Sequence, residues 1–102
     1  MAATAEQAAQ RHARAQDAAM HWAERAEVEY AQAIRHEDDA RARQHHESSW
    51  QRDRLAEDRR LAQAHGTRCT EALRLAEMWA RVAAAVVPPL EPAWSTLEST
   101  DG

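Results

Sequence analysis

The sequence predicts an all-α protein, a long helical hairpin or antiparallel coiled coil with an alanine-rich seam, and three observations predict it. The 65 residues from Met1 to His65 contain neither glycine nor proline. They are dominated by Ala, Glu, Gln and Arg, the residues that lose least on entering a helix. Alanines also recur every seven residues along two separate arms, which puts each series on one helix face. One helix over the whole first stretch would reach roughly 95 Å at 1.5 Å per residue, longer than globular helices run, so the chain is expected to fold back on itself.

The first arm is expected over about residues 4–46. Its seam is the series Ala19, Ala26, Ala33 and Ala40, with Ala23 and Tyr30 four positions after the first two. The reversal is expected within residues 35–49, because Arg35 to Ser49 carry no large apolar side chain and so offer no hydrophobic anchor. Ser48 followed by Gln51 has the form of a capping box and marks the start of the second arm.

The second arm is expected over about residues 49–87. Leu55, Ala62, Cys69, Ala76, Ala83 and Leu90 recur every seven, with His65, Ala72, Trp79 and Val86 three positions after four of them. Gly66 marks a candidate break in this arm, with Thr67 and Thr70 as alternative N-caps beyond it. Pro88 and Pro89 end the arm, since a residue before proline is pushed away from the α region. Residues 1–87 are thus one helical hairpin domain, followed by a Pro-rich acidic tail over 88–102. Within the tail, Leu90, Trp94 and Leu97 are spaced by four and three, an anchor face for a protein partner or for the end of the hairpin itself.

Small seam residues let two helix axes approach near the short end of the roughly 8–10 Å range. Outside the seam, Glu37 with Arg41, Asp39 with Arg43, Arg54 with Asp58 and Glu77 with Arg81 are opposite charges four apart that support exposed helix faces. The 44% hydrophobic content of the 102 residues overstates the core, because 25 of those residues are Ala and 19 are Ile, Leu, Val, Met, Trp or Tyr. So few large side chains argue for burial in a dimer or larger bundle, and self-association is expected. The small net charge of -4 and the high helix propensity argue against disorder.

Composition also narrows the function. There is no Lys, Asn or Phe, while Arg appears 13 times, a bias against A- and T-rich codons that points to a GC-rich bacterium or its phage. No run of about 18 apolar residues could span a membrane. The N-terminus lacks a basic region followed by an apolar one, so no Sec-type signal is expected and the cytoplasm is the expected location. The lone Cys69 is read as a small thiol in the seam. No nucleophile elbow, glycine-rich phosphate loop or paired-carboxylate pocket is visible, so no catalytic residue and no cofactor are assigned.

Six histidines, at 12, 21, 36, 45, 46 and 65, are read as solvated on charged faces, and no metal is assigned. No His-Glu-x-x-His occurs, and His36 with Asp39 is an isolated pair in the reverse order of the Glu-x-x-His used by di-iron bundles. A metal- or pH-sensing bundle built on these histidines stands as a third reading of the function. The stretch from Arg52 to Arg60 holds four arginines, the basis of an alternative reading as a helical nucleic-acid-binding regulator. Asp53, Glu57 and Asp58 are interleaved among them, however, and offset the field that would attract phosphate.

A helical hairpin of about 100 residues with a mid-chain tryptophan resembles the small WXG100 secretion-system proteins. The resemblance implies a small secreted hairpin as a further alternative. It is architectural, because the tripeptide is Trp50-Gln51-Arg52 without the glycine, and no Tyr in the tail is followed four residues later by an acid. The primary expectation is a non-enzymatic helical interaction, scaffold or adaptor protein that binds itself and another protein.

Overall fold

The computed structural model describes residues 4–45 and 48–86. They form two helices, α1 (Ala5–Arg43) and α2 (Ser49–Ala85), packed against each other as an extended antiparallel hairpin, with no strand among the described residues. The tail with Leu90, Trp94 and Leu97 lies outside the described residues, as do Pro88 and Pro89.

Helix α1 starts at a full capping box. Thr4 Oγ1 accepts from the Gln7 N–H at 3.1 Å, and Gln7 Oε1 accepts from the Thr4 N–H at 3.1 Å. Two donors that the helix leaves without partners are thereby satisfied. At the other end Arg41 and Arg43 occupy the last turn, where positive charge complements the exposed carbonyls. The thirty-nine residues between these ends span roughly 58 Å at 1.5 Å per residue.

The reversal is tighter than residues 35–49, because 35–43 belong to α1. No large apolar side chain anchors this last part of the helix. Ala40 is buried, and His36 and Arg43 reach across to Asp58 of α2, so polar contacts hold what large apolar residues do not. Ser48 caps α2, its Oγ accepting from the Gln51 N–H at 3.2 Å. The box is half closed there, since Gln51 Oε1 is buried without a partner among the described residues.

Helix α2 runs through Gly66 without a break. Thr67 and Thr70 are not caps. Their hydroxyls donate backward, to the carbonyls of Gln63 at 3.1 Å and Gly66 at 3.2 Å, the local bonding that Thr adopts inside a helix. Gly66 has a negative φ, and a Cβ added there would meet nothing within 4 Å. The glycine therefore carries only its entropic penalty, and Gly66→Ala is expected to stabilise the hairpin by about 0.5–1 kcal/mol. A rise in the urea midpoint with an unchanged slope is the expected readout. A fall would mean that the helix bends or opens at this residue.

Among the described residues every fully buried apolar side chain is an alanine: Ala15, Ala26, Ala33 and Ala40 in α1, and Ala62, Ala72 and Ala83 in α2. No described helix is long and apolar enough to cross a membrane.

Candidate functional site

Both helices turn inward at positions spaced alternately by three and four. In α1 the run is Ala15, Ala19, Trp22, Ala26, Glu29, Ala33, His36, Ala40 and Arg43; in α2 it is Leu55, Asp58, Ala62, His65, Cys69, Ala72, Ala76, Trp79 and Ala83. Ala26, Ala33, Ala40, Ala62 and Ala83 are buried, while Ala19, Leu55, Cys69, Ala76 and Trp79 are half-buried. Tyr30 departs from the expected seam and is 60% exposed, whereas its neighbour Glu29 is 3% exposed. Successive residues lie about 100° apart around a helix, so Glu29 and Tyr30 cannot both face α2. The carboxylate is selected because α2 presents a histidine opposite it.

That exchange exposes the polar layer of the seam. Glu29 Oε2 accepts from His65 Nδ1 at 2.5 Å, and Glu29 Oε1 pairs with Arg25 Nη2 at 3.1 Å. One heptad along, the roles of the helices are exchanged. His36 of α1 donates from Nδ1 to Asp58 Oδ1 of α2 at 3.2 Å, and the Arg43 guanidinium closes on Asp58 Oδ2. The two imidazoles stack between these pairs, with centroids 5.6 Å apart and planes 4° from parallel. Ionised carboxylates only accept hydrogen bonds, so each imidazole carries its proton on Nδ1 and leaves Nε2 as the second site. His12 makes a separate contact from Nδ1 to the Ala83 carbonyl at 2.8 Å, among the last carbonyls of α2, which lack helical partners. His12, His36 and His65 are therefore seam residues and not solvated ones.

The layer has a sequence signature, since each helix carries an acid followed seven residues later by a histidine: Glu29 and His36 in α1, Asp58 and His65 in α2. In an antiparallel pair this repeat sets each acid opposite the histidine of the other arm. A search for small and apolar seam residues passes over it. Two of the expected i,i+4 pairs are also replaced. Arg43 leaves Asp39 for the buried Asp58, and Arg41 sits 3.8 Å from Asp38. Glu29, at i+4 from Arg25, keeps a pair of that kind because both ends reach it without leaving the helix surface.

The Glu29 carboxyl lies below its ordinary value of 4.5, first through the hydrogen bond from His65 and then through the charges of His65, Arg25 and Arg68, which together outweigh the opposing effect of burial. A depressed folded-state pKa contributes stability that is complete above the unfolded value and is lost as pH falls through the folded one. Glu29→Gln is thus expected to be less stable than the parent at neutral pH, with the gap narrowing as pH falls below 4.5. Urea denaturation at steps from pH 6 to pH 3 measures it. A gap independent of pH would show that the carboxylate charge contributes nothing.

In the arginine-rich stretch, Arg60 pairs with Glu57 at 2.5 Å, while Asp58 is taken by Arg43 of the other helix. The Glu57 carboxyl is held below its ordinary value chiefly by the Arg60 hydrogen bond. Compared with known proteins, the chain matches no family model, no curated protein and no solved structure.

Proposed function

We propose that this chain is a non-enzymatic helical interaction protein, a hairpin that associates with itself and serves as a scaffold or adaptor for another protein. One observation carries the reading: among the described residues the buried apolar positions are all alanines, while seven large apolar side chains are exposed. Met20, Val28, Tyr30, Trp50, Leu73, Met78 and Val82 are all exposed, Met20 by 61%. Met20 borders an open groove with Ala19, Ala23, Ala76 and Ala80, and Met78 and Val82 border a second with Ala85 and the stems of Arg74 and Arg81. Apolar side chains placed on the rim of shallow grooves are what a helix-to-helix contact between molecules uses. The codon-biased composition supports a GC-rich bacterium or its phage as the source, and the proposed site of action is the cytoplasm.

Sedimentation velocity at micromolar concentration tests the reading. A dimer or larger species is expected, shifting toward monomer in a Met78→Gln, Val82→Gln double variant whose helical circular dichroism is unchanged. A monomer at all concentrations up to about 100 μM, well above typical Kd values for specific association, would overturn self-association.

A further inference from the structure

The polar layer brings together three side chains that the sequence separates, and we propose that His36, Asp39 and Asp58 form a binding site for a borderline divalent transition metal of the zinc class, clamping α1 to α2. One donor atom from each of the three lies within 4.8 Å of the other two. His36 and Asp39 stand three apart on α1, so the helix itself sets them side by side, and Asp58 arrives from α2. This third ligand is what the isolated His36 and Asp39 pair lacks in the sequence.

The geometry fits such an ion. His36 Nδ1 and Asp58 Oδ1 are 3.2 Å apart, joined by the hydrogen bond whose proton the imidazole donates. With metal–ligand bonds of about 2.0–2.1 Å, the edge of a tetrahedral site is roughly 3.3 Å, so an ion can take the place of that proton with little movement. The imidazole proton then resides on Nε2, and the Nδ1 lone pair faces the metal. Asp39, whose donor oxygen lies within 4.8 Å of the other two, completes three protein ligands by closing in by at most about 1.5 Å, and water fills the fourth position.

Charge and ligand type narrow the class. Two carboxylates meet here with Arg43 as the cation seated on Asp58 Oδ2. Oδ1 faces His36, so the ion and the guanidinium can use different oxygens of one carboxylate, the arrangement in which an outer partner orients a ligand. An imidazole among the donors favours zinc, cobalt or nickel over magnesium and calcium, which require mostly oxygen ligands. Asp39 makes no hydrogen bond or ion pair among the described residues, whereas Asp58 and His36 already bridge the helices without metal. Asp39 is therefore the residue that separates metal binding from the architecture of the seam.

The proposal is independent of self-association and is tested on the full chain without a histidine tag, at concentrations where one oligomeric species is present. ZnCl2 is expected to raise Tm relative to EDTA, MgCl2 to leave it unchanged, and CoCl2 to develop the visible absorption of a four-coordinate ion. Asp39→Asn is expected to keep the parent Tm in EDTA and to lose at least tenfold in zinc affinity. A His45→Gln, His46→Gln double variant is expected to retain the zinc response, because the proposed site uses only His36, Asp39 and Asp58. Absence of a zinc shift in the parent, its survival in Asp39→Asn, or its loss in the double variant would each overturn the assignment.

Discussion

Replacing Asp58 with alanine is expected to destabilise the hairpin by about 2–4 kcal/mol in the presence of EDTA, the largest effect of any single side chain in the seam. Asp58 is 2% exposed and is the common acceptor for His36 and Arg43. Its removal leaves a guanidinium and an imidazole facing a void between two helices. The upper end of the range for a broken buried pair is not reached, because Arg43 keeps 26% of its side-chain surface in water and His36 keeps 19%. Both can turn outward. A double-mutant cycle with His36→Ala separates their interaction from the void, with a coupling of about 0.5–3 kcal/mol expected. Combined replacement of Asp58, His36 and Arg43 by Leu, Leu and Met is expected to recover much of the loss, since apolar groups of similar volume avoid the desolvation of three charged or polar ones. Urea denaturation at neutral pH gives all of these values. A loss below about 0.5 kcal/mol for Asp58→Ala, the range of ordinary surface changes, would show that the layer is solvated in solution.

Ala33→Leu is expected to cost about 1–3 kcal/mol, the second largest effect. Ala33 is buried in a seam whose other fully buried apolar members are also alanines, so three added carbons have no cavity to enter. In a globular core neighbouring side chains could shift. In a seam of small side chains the added bulk is expected to press on the opposite helix, and relief then requires the two axes to separate. Ala76 is half-buried, and Ala76→Leu is expected to cost less because its side chain can lean toward the groove beside Met20. Tyr30→Ala serves as the control, with an effect within about 0.5 kcal/mol because Tyr30 lies outside the seam. Thermal unfolding followed by circular dichroism ranks the three. A higher Tm for Ala33→Leu would mean that the helices are loosely apposed.

The two helices, their reversal before Ser48 and the alanine face of each arm were legible in the sequence, because each depends on local chemistry. Unbroken helix formers extend a helix, a serine accepts from the N–H three residues ahead, and a sevenfold repeat of one residue type marks a face. Other local signals were equally present. The Thr4 and Gln7 box is one, and the acid-to-histidine step of seven on both arms is another.

The rotation of each helix about its axis was not legible. The α1 series Ala19, Ala26, Ala33 and Ala40 is compatible with inward neighbours three or four residues on, which selects either Glu29 or Tyr30. Apolarity favours Tyr30, and the structure takes Glu29 because its carboxylate meets His65, a contact that exists only once the second arm lies alongside. The same holds for residues 35–43, where the sequence does not show that His36 and Arg43 reach Asp58 across the hairpin. By itself the sequence determined where helices form and which faces are small, since propensity, capping and periodicity act over a few residues. Only the tertiary structure decided which polar groups are buried and paired, since a buried charge is tolerated where a partner from distant chain is within hydrogen-bonding reach, and that distance has no local signature.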